Sequence, residues 1–162
     1  MSELICDTTV VQYLHQIGLL GLLPALASQV IIPVAVAEDL AVGLARGIEL
    51  PNVQALGWAR VLSPAAKPPL PDSSDLGAGE LEVLWLANER QGSIAVLDDG
   101  KARQVAAAIT VPFTGTLGLL LDAKRAGLVS AIAPYVDELR QRNFHLSLRA
   151  RAAILHEAGE TP

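Results

Sequence analysis

The chain has 162 residues, of which 51% are hydrophobic, and its 12 basic and 17 acidic residues give a net charge of −5. This hydrophobic content excludes intrinsic disorder, and the length fits a single domain over residues 1–162. The one cysteine, Cys6, excludes an internal disulfide framework. Together with three scattered histidines, it also excludes a zinc site built from Cys and His ligands at standard spacing.

A stretch without formal charge covers residues 8–37 and is long enough to suggest a membrane span. Pro24 and Pro33 interrupt it, and no basic residue flanks it before Arg46, so an orienting signal is missing. The first residues lack the positive region of a secretory signal. We therefore expect a cytoplasmic protein without a membrane span.

The first half of the chain alternates short apolar runs with helical segments. The predicted elements are a strand at 4–6, a helix at 10–17 capped by Thr9, a short helix within 17–26, a strand at 30–32, a helix from Pro33 to about Gly47 and a strand at 58–62. Short apolar runs that close in a polar turn are typical of buried parallel strands.

The second half continues this alternation after a proline-rich surface loop at 65–75. The predicted elements are helices at 80–90, 100–108, 115–129, 130–142 and 147–158 and strands at 93–97 and 111–113. Strands that alternate with helices of about a dozen residues predict an α/β fold with a mostly parallel sheet.

Acidic residues follow two of the predicted strands. Asp7 ends the first strand, and Asp98 and Asp99 end the strand at 93–97. Ligand-binding residues of parallel α/β sheets gather at the carboxyl ends of the strands. Glu38, inside an otherwise apolar helix, and Glu80, in the first turn of its helix, are further candidates.

Each candidate also has a purely structural interpretation. Asp39 lies beside Glu38, and either could be the functional residue or part of a solvated face. Asp98 and Asp99 cannot point the same way in an extended chain, so one is expected to cap the helix that begins at Gly100. Glu80 could serve only to stabilise the positive end of its helix.

Carboxylates that converge on one pocket repel each other, and a divalent cation removes that repulsion. Oxygen ligands without His or Cys favour Mg²⁺ or Mn²⁺, which can activate water against a phosphodiester. Residues 101–162 hold 8 basic and 5 acidic residues, an excess that could form a local basic face. Its candidate phosphate contacts, which could equally be solvated helix residues, are Lys101, Arg103, Lys124 and Arg125.

Five segments together resemble the PIN-domain family, and within it a subgroup known as a domain of unknown function that is related to VapC toxin ribonucleases. They are ICDTTVVQYL, VIIPVAVAEDL, GAGELEVLWLA, SIAVLDDGKARQVA and TGTLGLLLDAKRAGLV. The resemblance extends from about Leu4 to Gly159, and it depends on the order and spacing of the acidic residues more than on any one motif.

This resemblance implies a three-layer α/β/α sandwich that cuts RNA with Mg²⁺ or Mn²⁺. It places the metal-binding and catalytic carboxylates at Asp7, Glu38, Glu80 and Asp98 or Asp99. A supporting hydroxyl that follows the first acid maps to Thr9. The third acid is Glu here, where Asp is more usual in the family.

Three functions remain to be compared. One is a ribonuclease toxin held inactive by a cognate antitoxin, and another is a non-catalytic interaction module with an incomplete metal site. A phosphatase-like domain is disfavoured, because Thr9 occupies the second Asp position of the D-x-D-x-T pattern. The apolar helices also suggest a homodimer, with residues 10–28 as a candidate interface.

Overall fold

The computed structural model describes all residues from 1 to 162. Its strands are β1 (Glu3–Cys6), β2 (Gln29–Pro33), β3 (Ala59–Leu62), β4 (Ile94–Val96) and β5 (Phe113–Thr114). Its helices are α1 (Thr8–Gln16), α2 (Leu22–Leu26), α3 (Val34–Ala45), α4 (Ala78–Glu89), α5 (Gly100–Ala108), α6 (Thr116–Arg125), α7 (Ala133–Gln141) and α8 (Leu148–Glu157). A 3-10 turn at Val53–Ala55 precedes β3.

All five strands are parallel and lie in the order β3-β2-β1-β4-β5. The sheet is the middle layer of an α/β/α sandwich, which confirms the predicted fold class. The chain leaves β1 toward β2 on one side and later returns to β4 on the other. The strand order therefore reverses at β1, and such a reversal opens a crevice at the carboxyl ends of the two strands.

The register of β1 and β4 brings their acidic ends to the same edge of the sheet. Cys6 pairs with Val96, so the residues that follow in each strand leave the sheet side by side. The backbone N–H of Asp7 still donates to the carbonyl of Val96 at 3.1 Å. The central strands are almost completely buried because helices cover both faces, as expected for a parallel sheet.

The uncharged stretch at residues 8–37 belongs to the interior of this fold. It forms α1, α2, β2 and the start of α3, and residues of all four elements contribute to one hydrophobic core. None of the helices combines the length and the apolar character needed to cross a membrane. The charge-free pattern thus reflects packing around the sheet.

Two predicted helix starts are wrong by one or two residues. Thr9 is not the cap of α1, because Asp7 has the extended backbone of an N-cap residue and the helix begins at Thr8. Pro33 ends β2 and takes the N-cap position of α3, where it was expected as the first helical residue. The prediction that one of the paired aspartates caps α5 is confirmed, since Asp99 accepts from the N–H of Ala102 at 2.9 Å.

Glu82 connects α4 to the beginning of α3. Its buried carboxylate accepts a hydrogen bond from the backbone N–H of Ala35 at 2.9 Å. Lys67 approaches the other carboxylate oxygen at 3.8 Å. A buried carboxylate at the first turn of a helix accepts a hydrogen bond from a free N–H group, and its negative charge interacts favourably with the positive end of the helix dipole.

We expect Glu82→Ala to lower the free energy of unfolding by about 2 kcal/mol, because the N–H of Ala35 loses a charged acceptor inside the protein. Urea denaturation followed by circular dichroism measures this change. The matched control is Glu38→Ala, which removes an exposed glutamate of α3 and should change stability by less than about 0.5 kcal/mol. Equal effects of the two substitutions would contradict the role given to Glu82.

Candidate metal centre

Asp7 lies at the carboxyl end of β1 with only 6% of its surface exposed. Burial raises the pKa of its carboxyl group to about 7, although a hydrogen bond from the N–H of Thr8 works in the opposite direction. The negative charges of Glu80, Asp98 and Asp39 raise this pKa further. Four carboxyl groups from distant parts of the chain therefore share one electrostatic environment.

The α3 carboxylate in this environment belongs to Asp39. A Cβ atom placed on Gly79 of α4 would lie 3.3 Å from Asp7 Oδ1 and 3.4 Å from Asp39 Oδ2, so both carboxylates border the start of α4. The same position would lie 3.1 Å from the side chain of Val36. Since Val36 and Asp39 are three residues apart, they share a face of the helix.

Glu38 and Asp39 are both exposed, but no contact joins Glu38 to Asp7 or to the start of α4. Glu38 lies two residues from Val36, which corresponds to a rotation of about 200° around the helix axis. The structure thus corrects the expectation for this helix: Asp39, the alternative to Glu38, supplies the carboxylate near Asp7.

The hydroxyl group that follows the first acid is also one position away from the expected one. Thr8 Oγ1 donates to Asp39 Oδ2 at 3.4 Å, which connects the start of α1 to α3. Thr9 is exposed, and no hydrogen bond joins its side chain to these carboxylates. The hydroxyl group in contact with these carboxylates is therefore that of Thr8 and not, as expected, that of Thr9.

Glu80 reaches the same region from the first turn of α4. Its Oε1 accepts from the N–H of Gly77 at 3.4 Å, while its Oε2 is buried without any hydrogen-bond partner. Burial and the neighbouring charge of Asp99 raise the pKa of Glu80. A buried carboxylate oxygen without a partner is costly, and such groups mark functional sites or bound ions.

Asp98 and Asp99 follow β4 and point in different directions. Both oxygens of Asp98 are held by Thr116, whose N–H donates to Oδ1 at 2.8 Å and whose hydroxyl donates to Oδ2 at 2.7 Å. Asp99 caps α5 and lies next to Glu80. Thr116 is fully buried, and the sequence analysis did not identify it. No local pattern in the sequence marks Thr116, because its contact with Asp98 joins residues 18 positions apart.

We name Asp7, Asp39, Glu80, Asp98 and Asp99 the acidic cluster. Its donors are all carboxylate oxygens, which suit Mg²⁺ or Mn²⁺, and the buried Glu80 Oε2 lacks a partner that a cation would provide. The residues therefore fit a divalent metal ion by their chemistry. Their positions do not yet form a cage, because no three acidic, His or Cys side chains stand close enough to hold one ion together.

Most of the basic residues expected to contact phosphates are engaged elsewhere. Three of the four are paired with acidic side chains, in the pairs Lys101–Asp75, Lys124–Glu160 and Arg125–Asp122. Arg103 is the one of the four that takes part in no ion pair, and it lies beside Asp98. It uses its Nε to donate to the carbonyl of Leu97 at 2.7 Å, immediately before Asp98.

A family model described as a PIN domain matches residues 3–160. The chain therefore belongs to the PIN-domain family, within a subgroup of unknown function. PIN domains are in general nucleases and typically bind divalent metal ions. A search of curated proteins found no match to this chain.

The raised pKa of Asp7 predicts a dependence of stability on pH. Between about pH 4 and pH 7 the folded state holds a proton at Asp7 that the unfolded state releases, so stability falls as the pH rises. Above about pH 7 the full cost of the buried charge is present. We expect Asp7→Asn to be more stable than the wild type at pH 8 in EDTA, by up to about 4 kcal/mol, and this advantage should shrink toward pH 4.

Thermal unfolding of both proteins across this pH range measures the difference. Glu38→Gln is the matched control, because its carboxyl group is exposed and its effect should stay small throughout. An Asp7→Asn variant that is less stable than the wild type at pH 8 would contradict the burial cost of the carboxylate.

Proposed function

We propose that this protein is an endoribonuclease that hydrolyses RNA phosphodiesters with Mg²⁺ or Mn²⁺ at the acidic cluster. The observation that carries this proposal is the buried Glu80 Oε2, which has no partner and borders a group of carboxylates at the switch point of the sheet. Nuclease chemistry is the general property of the family. RNA as the substrate is the finer part of the proposal.

The residues of the chain divide the work at such a site. Asp7, Asp39, Glu80, Asp98 and Asp99 would hold the ion, and a bound ion would supply a water of lowered pKa and positive charge for the leaving oxygen. Thr116 holds both oxygens of Asp98 by hydrogen bonds, and the hydroxyl group of Thr8 donates a hydrogen bond to Asp39. The N–H of Gly77 holds Oε1 of Glu80 and leaves its Oε2, which has no partner, available to the ion.

A phosphate group near five carboxylates needs positive charge beside it. Arg103 supplies it, since its guanidinium group lies next to Asp98 and takes part in none of the ion pairs of the chain. The metal ion adds further positive charge when it is bound. Arg103 is therefore the basic residue that we propose for contact with the substrate.

We also propose that the protein is the toxin of a toxin–antitoxin pair, as the likeness to VapC toxins suggests. Expression of an active toxin should arrest growth of a bacterial host, and Asp7→Asn should relieve the arrest at equal protein level. Growth that is the same with wild type and variant would overturn the toxin role and leave the nuclease proposal standing.

A non-catalytic interaction module is the second candidate function. The observation that favours it is that no three potential ligands are arranged to hold one ion. In that case no cation would balance the acidic cluster. The raised pKa of Asp7 would then lower the repulsion, because a protonated Asp7 carries no charge. Isothermal calorimetry with Mn²⁺ separates the two candidates, because only the nuclease requires binding.

We expect Asp39→Asn to reduce Mn²⁺-dependent cleavage of a labelled single-stranded RNA by at least about 100-fold, since the loss of a metal ligand should exceed the effect of losing an outer partner. Gel analysis of cleavage rates and calorimetry of Mn²⁺ binding measure this effect. Glu38→Gln is the matched control on the same helix and should leave the rate within about twofold.

Three outcomes decide between the candidates. Cleavage that is lost with Asp39→Asn and kept with Glu38→Gln supports the nuclease and its corrected ligand set. Equal cleavage by the wild type and by Asp7→Asn would point to a contaminating enzyme and overturn the proposal. A wild type that neither binds Mn²⁺ nor cuts RNA would favour the interaction module.

The homodimer also remains a proposal, with a different interface from the one expected. Residues 10–28 contain none of the large exposed hydrophobic side chains. Several of these side chains lie instead near α3 and β3, namely Val42, Leu44, Ile48 and Val61. We expect Leu44→Lys to convert a dimer to a monomer in light scattering after gel filtration. A matched change at the isolated Leu128 should not alter the mass.

A further inference from the structure

A pocket of about 400 Å³ opens directly beside the acidic cluster. Asp98 and Arg103 lie at one end, Phe113 lies on the edge strand β5, and Phe144 and His145 close it from the segment between α7 and α8. We name it the aromatic pocket. Its volume falls in the range of about 300–1,000 Å³ that is common for small-molecule sites.

The pocket concentrates a residue type that is rare in this chain. Only 4% of the residues are aromatic, and the sequence contains just two phenylalanines. Both of them line the pocket, and His145 stands beside them. Phe113 is 39% exposed although it is a large apolar side chain. Ligand pockets are typically lined by aromatic and apolar side chains together with a few polar groups.

The rings and the guanidinium group are held in fixed positions. Phe144 packs edge-on against Tyr13 with the ring centres 5.1 Å apart. The guanidinium carbon of Arg103 lies 5.4 Å from the centre of the Phe113 ring, while its Nε is tied to the carbonyl of Leu97. The pocket therefore offers preformed flat surfaces, which lowers the entropic cost of binding a flat ligand.

Gly115 keeps the polar end of the pocket open. A Cβ atom at this position would overlap the guanidinium group of Arg103 and would lie 2.6 Å from Asp98 Oδ1. The missing side chain thus lets a cationic and an anionic group approach the same backbone segment. A ligand that reaches Asp98 from the aromatic side therefore passes the guanidinium group of Arg103.

We propose that the aromatic pocket binds one unpaired nucleobase of the single-stranded RNA that crosses the acidic cluster. Bases stack on aromatic rings and on guanidinium planes, and the free Nη groups of Arg103 can donate to the adjacent phosphate. This inference rests on the proposed ribonuclease function. It adds a specificity site, because a base in this pocket fixes which phosphodiester lies at the carboxylates.

The base must be unpaired, because a base inside a duplex hides both of its faces in the stack. The chain accordingly favours single-stranded RNA over a duplex of the same sequence. A peptide segment from a partner protein is the competing occupant. It would depend on the apolar lining of the pocket in the same way, but it would not depend on any base of the RNA.

The test measures the affinity for a labelled single-stranded RNA by fluorescence anisotropy, in EDTA and at low salt so that no cleavage occurs. We expect Phe113→Ala to weaken binding about 10-fold, as the loss of one stacking contact does. Phe113→Tyr should keep the affinity, since the ring remains. Leu128→Ala is the matched control, because it removes an exposed apolar side chain outside the pocket.

A second arm uses RNAs in which one nucleotide at a time lacks its base. At one position, the abasic RNA should bind the wild type and Phe113→Ala equally, because the contact is already lost. The inference is overturned if Phe113→Ala binds intact RNA as tightly as the wild type. It is also overturned if no abasic position abolishes the difference in affinity between the two proteins. Either result would favour a peptide as the occupant of the pocket. Circular dichroism confirms that each variant is folded.

Failure of this inference is distinguishable from failure of the proposed function. If only the pocket proposal is wrong, the wild type still cleaves RNA with Mn²⁺ and Asp39→Asn still loses this activity. Failure of the ribonuclease proposal shows as a wild type that neither cuts nor binds RNA, and this result overturns both.

Discussion

The burial of the Asp7 carboxyl group at the switch point of the parallel sheet is the constraint on which the site depends. The strand that precedes it is central and almost completely buried, so this carboxyl group has little access to water. The neighbouring carboxylates further destabilise its charged form, because they carry the same charge. A fold that places a buried carboxylate among other carboxylates stores free energy that a cation can release. The hydrogen bonds from Thr116, Thr8 and Gly77 hold individual oxygens but leave this excess charge in place.

Much of the fold could be predicted from the sequence, because its strands are short apolar runs that alternate with longer helical segments. The parallel sheet followed from β1, β2 and β4, which are buried on both faces and read as continuous apolar segments. The carboxyl-end rule then located Asp7 and the Asp98-Asp99 pair. Glu80 was found through its position in a first helical turn.

The differences at the site between prediction and structure are of one or two residues. An apolar helix such as α3 gives little amphipathic pattern, so the sequence could not decide which of Glu38 and Asp39 faces α4. The start of α1 shifted for a similar reason, since Asp7, Thr8 and Thr9 are all good candidates for an N-cap. Thr116 and the aromatic pocket depend on contacts between β4, β5, α6 and the α7–α8 connection. Contacts between segments so far apart leave no local pattern in the chain.

The cap of α5 has a mechanical consequence. The side chain of Asp99 holds the first turn of this helix, and its carbonyl accepts from the N–H of Arg103 at 3.0 Å. The same aspartate faces Glu80, while Arg103 forms one wall of the aromatic pocket. A single helical turn therefore joins both regions, so the spacing between the carboxylate of Asp99 and the start of the Arg103 side chain is set by the backbone of α5.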